Sequence, residues 1–137
     1  MTATESSEES PKIEATPYEQ IGGEATVRRL ADRFYDIMDT DSGAARIRAM
    51  HGQDLAPIRT LLFEFLSGWL GGPPLYFQRP QHRCIMSAHR PYAIGEVERD
   101  EWMMCMRRAM DECELPADMR ALLDQAFSRM ANMFRNA

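Results

Sequence analysis

His89 lies in the run Ser87-Ala88-His89-Arg90-Pro91-Tyr92-Ala93-Ile94-Gly95. A neutral imidazole suits iron ligation through one ring nitrogen while an acceptor near the other nitrogen orients the ring. Pro91 cannot extend a helix and disfavours helical dihedrals at Arg90. The histidine is therefore expected on the last turn of a short helix, at a corner from which a ligand can be offered to a flat cofactor. A lone histidine near a helix end is more often an ordinary surface or capping residue. Its company changes the weighing: Trp102 thirteen residues on, Tyr35 far upstream, and two Gly-Gly pairs between helical segments. An indole N–H and a phenol O–H need partners when buried.

The cysteines point elsewhere. Cys84, Cys105 and Cys113 are an odd number without a CxxC pair, which argues against a disulfide framework or a structural zinc site. Cys105 and Cys113, eight apart in a helical pattern, read as small buried hydrophobes. The 11 methionines read as core filler, soft enough to pack around a flat ring system.

The elements that must position these residues are helical. Val27, Leu30, Ala31, Phe34, Ile37 and Met38 recur at three-to-four spacing until Thr40-Asp41-Ser42-Gly43 breaks the pattern. A short helical piece spans 44–50, closed by His51-Gly52. Leu55, Ile58, Leu61, Leu62, Phe65, Leu66 and Trp69 form a broad stripe that Gly71-Gly72-Pro73-Pro74 ends; Asp54 suits its cap, and a start one or two residues either way fits equally well. Residues 75–91 read as irregular, apart from two helical turns over 83–89. Val97, Trp102, Cys105, Met106, Ala109 and Met110 mark a further helix with Gly95 before it. Pro116 opens the last one, its core face formed by Met119, Leu122, Leu123, Ala126, Phe127, Met130 and Phe134. No stretch alternates as a strand does, so the expectation is all-α. The long connection from 71 to 95 reads as a functional segment wrapped over a ligand, because helical domains usually join helices by about 2–8 residues.

With 137 residues and 45% hydrophobic content, the chain has room for one domain with its own core. Residues 1–16 are rich in Ser, Thr, Glu and Pro and are expected to be a disordered tail, leaving 17–137 as the domain. The stretch from Met1 to Pro11 is acidic and lacks the apolar segment of a secretory signal, and no run is long enough to span a bilayer. The expectation is a cytoplasmic protein that does not bind membranes. A net charge of −5 with no basic stripe argues against nucleic acid as a partner. Arg28, Arg29 and Arg33 are interleaved with carboxylates and read as a solvated helix face.

Over residues 18–135 the sequence resembles the truncated haemoglobins, specifically their second group, the bacterial 2-over-2 globins. The motifs that carry the resemblance are Tyr18-Glu19-Gln20-Ile21-Gly22-Gly23, Arg33-Phe34-Tyr35, Trp69-Leu70-Gly71-Gly72-Pro73, 88–95 and Glu98-Arg99-Asp100-Glu101-Trp102-Met103-Met104-Cys105-Met106. The resemblance implies two helix pairs sandwiching haem b, with the helix before the iron ligand mostly replaced by a loop. It makes His89 the proximal ligand of the iron, Tyr35 and Trp102 the distal hydrogen-bond donors, and Ile58, Leu62 and Phe65 the haem-facing side of the distal helix. Ile58 stands where many globins keep a polar gate. The corner position that packs on the haem falls at Met50, or at His51 if the alignment shifts by one. Tyr92 is placed beside the cofactor. Arg83 and Arg90 are the local candidates for pairing with its propionates, and His82 is expected to make a loop hydrogen bond.

The function so implied is binding of dioxygen, carbon monoxide and nitric oxide at a His-ligated iron, with oxygen transport among the family's roles. The alternative is peroxidase-like or nitric oxide-detoxifying catalysis on the same haem. Its electrons would come from a separate reductase, since no Gly-rich fingerprint for flavin or nicotinamide follows a strand. The chain is expected as a monomer or homodimer. A third reading is a haem-free helical interaction domain.

Overall fold

Thr16 starts the first helix, α1 (Pro17–Ile21), through a reciprocal cap. Its hydroxyl accepts from the Glu19 N–H at 3.2 Å, and the Glu19 carboxylate accepts from the Thr16 N–H at 3.1 Å. These bonds satisfy donors that a helix start leaves open. The computed structural model describes residues 15–137. Of the expected tail, residues 1–14 lie outside the described residues, and Thr16 serves as the α1 cap.

Gly22 turns the chain at a φ of 118°, and α2 (Glu24–Thr40) follows, burying Val27, Leu30, Ala31, Phe34, Tyr35, Ile37 and Met38. A 3-10 turn (Ser42–Ala44) and α3 (Ala45–Ala49) lead to α4 (Ala56–Trp69). Asp54 caps α4 from just outside its N-cap residue Leu55, accepting from the Ala56 N–H at 3.0 Å. The segment 75–91 holds an unexpected short helix, α5 (Leu75–Gln78), and α6 (Ile85–His89), which falls within the two helical turns expected over 83–89. The long helices α7 (Glu96–Glu112) and α8 (Ala117–Met133) complete the fold, with Pro116 at the N-cap of α8. There is no strand among the described residues, and none of the helices there is long and apolar enough to cross a membrane.

α2 packs against both α4 and α7, and α7 packs in turn against α8. The result is two helix pairs laid one over the other. Their shared core centres on Leu30, Phe34, Leu66, Met106, Met110 and Phe127, all fully buried, with Trp69 stacked on Phe127 at 4.8 Å. The second Gly-Gly pair lets α1 dock on the end of α4. The Tyr18 N–H donates to the Leu70 carbonyl at 2.9 Å, and a Cβ on Gly72 would lie 2.6 Å from Tyr18 ring carbons. Ser67, buried in α4, ties down the following turn by donating to the Pro73 carbonyl at 2.7 Å.

The charged residues behave as the sequence suggests. Arg28 pairs with Asp32, and Arg33 with Asp36 and Glu112, on the outside of α2. Such exposed pairs contribute little, about 0–1 kcal/mol each. Cys105 and Cys113 are buried, and burial pushes the Cys105 thiol up to about 12.

Candidate functional site

His89 closes α6, and its Nδ1 sits 2.8 Å from the Ile85 carbonyl one turn earlier. A carbonyl only accepts, so Nδ1 carries the proton and Nε2 keeps its lone pair. Arg90 retains helical dihedrals (φ −59°, ψ −35°) despite preceding Pro91, so the expected displacement of Arg90 does not occur. The helix still ends there because Pro91 has no N–H to continue it. α6 buries none of its own residues. The imidazole instead stacks on Phe134, with centroids 4.2 Å apart and planes at 21°.

Tyr35, on the inner face of α2, is 5% exposed. Its ring meets Phe34 edge-on at 4.9 Å and His51 edge-on at 5.6 Å. Among the described residues its hydroxyl has no hydrogen-bond partner. Burial pushes its pKa well above the ordinary phenol value, partly opposed by the charge of Arg59, so the group stays a protonated donor. Arg59 ties α4 to α2 beside this ring, donating to Asp36 at 2.7 Å and to the Asp32 carbonyl at 2.9 Å.

Trp102, from α7, is half-buried between Phe34 at 5.2 Å and Phe127 at 5.8 Å. Its indole N–H has no partner among the described residues either. Of the two corner residues, Met50 is half-buried at the end of α3, and His51 is the one whose ring meets Tyr35. His51 donates from Nδ1 to the Ile47 carbonyl at 2.7 Å, which leaves Nε2 open. Burial draws its pKa down, and the charges of Arg48 and His89 add to that.

Ile58, Leu62 and Phe65 of α4 pack against the core yet remain only partly covered. Phe65 also meets Tyr76 at 6.2 Å and Phe77 at 6.3 Å. Phe77, Met86 and Tyr92, all on the 75–95 segment, are exposed. Arg83 and Arg90 are exposed and make no ion pair among the described residues. His82 makes the loop hydrogen bond expected of it, Nδ1 to the Arg79 carbonyl at 3.1 Å. The helix missed within 75–91, α5, is a single turn, too short for sequence periodicity to register.

The chemistry of this donor set is restrictive. Among the described residues no three His, Cys, Asp or Glu side chains gather to hold a metal ion. One imidazole with a free Nε2 holds iron only if another ligand set fills most of the coordination sphere. A macrocycle supplying four nitrogens does so, and its flat apolar body suits partly covered Ile58, Leu62 and Phe65. The unpartnered donors of Tyr35 and Trp102 suit a small polar acceptor. A surface groove of about 470 Å³ lined by Asp41, Asp100, Glu101 and Arg108, among others, includes none of the candidate residues.

The sequence matches the family model described as bacterial-like globin over residues 16–136. It is 33% identical over 107 residues to the group 2 truncated hemoglobin YjbI of Bacillus subtilis, covering 78% of each chain. Among solved structures, the cold-adapted truncated hemoglobin of the Antarctic bacterium Pseudoalteromonas haloplanktis is 42% identical at a TM-score of 0.86, covering 90% of this chain and 99% of that one. The group II 2-on-2 hemoglobin of Agrobacterium tumefaciens is 43% identical at a TM-score of 0.85, covering 91% and 97%. Membership of this family implies a haem cofactor. The chain belongs to the bacterial-like globins, as a group II truncated haemoglobin with the 2-on-2 fold.

Proposed function

We propose that this globin holds haem b through His89 and binds dioxygen, carbon monoxide and nitric oxide in a pocket bounded by Tyr35, His51 and Trp102. The observation that carries the reading is the Tyr35 hydroxyl, buried and without a protein partner among the described residues. A buried donor left unsatisfied costs about 1–3 kcal/mol, so a site that supplies an acceptor recovers that loss. When bound, haem would supply an iron able to take a diatomic ligand.

The remaining work falls to the chain. The Nδ1 bond to Ile85 fixes the tautomer of His89, whose Nε2 lone pair would hold the iron. Tyr35 and Trp102 donate to a ligand in the pocket, and His51 adds Nε2 as a third polar group. Ile58, Leu62 and Phe65 limit water there, so that the donors act in a low-dielectric setting. Met50 and Tyr92 pack at the cofactor's edge, and Arg83 and Arg90 pair with its propionates.

Stopped-flow mixing of the reduced, oxygen-loaded protein tests this reading against the catalytic one. Slow oxygen release with negligible turnover of nitric oxide or peroxide supports binding as the function. Rapid turnover sustained by an added reductant assigns catalysis on the same haem instead.

A further inference from the structure

The residues after α8 fold back onto the loop that follows His89. The Asn136 N–H donates to the Ile94 carbonyl at 2.8 Å, and the Ile94 N–H donates to Asn136 Oδ1 at 2.8 Å. The same side chain donates from Nδ2 to the Tyr92 carbonyl at 2.8 Å. Asn136 is exposed, so these bonds are a directed attachment and not a by-product of core packing. Two residues earlier, Phe134 lies flat on the His89 ring.

These contacts act on the degrees of freedom that the Ile85 hydrogen bond leaves open. A single bond at Nδ1 sets the tautomer but lets the imidazole rock about the N···O axis. A parallel aromatic face 4.2 Å away restricts that rocking while leaving the Nε2 edge clear. α6 buries none of its residues, so core packing does little to hold this segment. The loop on its far side is held by Asn136. Together they restrain the histidine before and behind.

We propose that Phe134 and Asn136 are positioning residues that clamp the 89–94 segment and set the plane of the His89 imidazole toward the haem iron. The inference rests on the reading of His89 as the iron ligand. Ligand orientation is a property that neighbouring groups tune in metal sites generally.

The test uses the full, haem-loaded chain and two readouts: the Fe–His stretch of the reduced protein by resonance Raman, and the rate of haem loss to an excess of apo-acceptor. Phe134→Leu keeps apolar bulk but removes the flat face, Phe134→Tyr keeps the face, and Asn136→Ala frees the loop from a surface position. Phe134→Leu and Asn136→Ala are each expected to shift or broaden the stretch and to speed haem loss about 2- to 10-fold, the range of an aromatic contact. Phe134→Tyr should match the parent. A parent-like band and haem loss in either disrupted variant removes that residue from the clamp, and a Tyr variant as disturbed as the Leu variant overturns the orienting role. His89→Gly separates the two claims. If it keeps the band, the ligand assignment falls and the clamp with it; if it loses the band while the other variants are unchanged, only the clamp falls.

Discussion

The imidazole of His51 meets the ring of Tyr35 edge-on, with centroids 5.6 Å apart and planes at 73°. Its Nδ1 is held by the Ile47 carbonyl, so the ring is fixed relative to α3 while Nε2 stays open. The corner before α4 thus contributes a polar side chain to the same environment as the Tyr35 hydroxyl.

The Nε2 lone pair of His51 accepts and cannot donate to a bound ligand, so the redundancy expected is between the donors Tyr35 and Trp102. Tyr35→Phe is expected to speed oxygen dissociation only about 2- to 10-fold, the worth of one net hydrogen bond, because the Trp102 N–H still donates. Combined with Trp102→Phe, the effect should exceed the product of the single changes. Simple multiplicative behaviour in the double-mutant cycle would mean that the two residues act independently.

His51 also gives a pH signature. Its pKa is drawn below the ordinary 6.5, chiefly by burial, so the folded chain favours the neutral ring. The unfolded chain then binds more protons just below pH 6.5, and stability falls as the pH drops through that window. Urea midpoints measured from pH 7 down to pH 5 should decline more steeply for the parent than for His51→Gln. Parallel slopes would remove His51 from the account of acid sensitivity.

Gly72 carries a steric prediction. A Cβ there would lie 2.6 Å from Tyr18 ring carbons, so α1 must shift off the end of α4 or the ring must move. Gly72→Ala is expected to cost about 1–3 kcal/mol in chemical denaturation, as overpacking does. Gly72→Ala combined with Tyr18→Ala should lose less than the two single changes summed.

Thr16 sets the start of the fold. Thr16→Ala removes the hydroxyl of the α1 cap and is expected to cost about 0.5–2 kcal/mol. A chain starting at Ala15 is expected to keep the parent's melting temperature and haem content, since residues 1–14 offer no apolar period. A fall of several degrees on that truncation would assign the segment a packing role.

The long helices were legible because each repeats its apolar spacing over several turns, as Val27 to Met38 does in α2. The ends were less so. The sequence leaves the start of α4 open by one or two residues about Asp54, and the bond to Ala56 places Asp54 one residue outside the N-cap. Tyr35 and Trp102 stood out through residue type and motif order. Their neighbours Phe34 and Phe127 read only as core, and both turn out to flank the indole. Phe134 likewise reads as one more apolar position in α8, because a stack on a histidine 45 residues away has no local signature. Asn136 follows the last periodic residue and carries no pattern at all.

The measurement that bears most directly on the central claim is the oxygen dissociation rate of Trp102→Phe, with carbon monoxide dissociation as the control. Trp102 presents an indole N–H without a protein partner among the described residues, and a hydrogen bond to a partly charged acceptor contributes roughly 1.5–3 kcal/mol. Since 1.4 kcal/mol is about tenfold, oxygen release should speed by about 10- to 100-fold. Carbon monoxide, a much weaker acceptor, should change far less. An unchanged oxygen rate, or equal shifts for both gases, would contradict the account and leave Trp102 a steric role only.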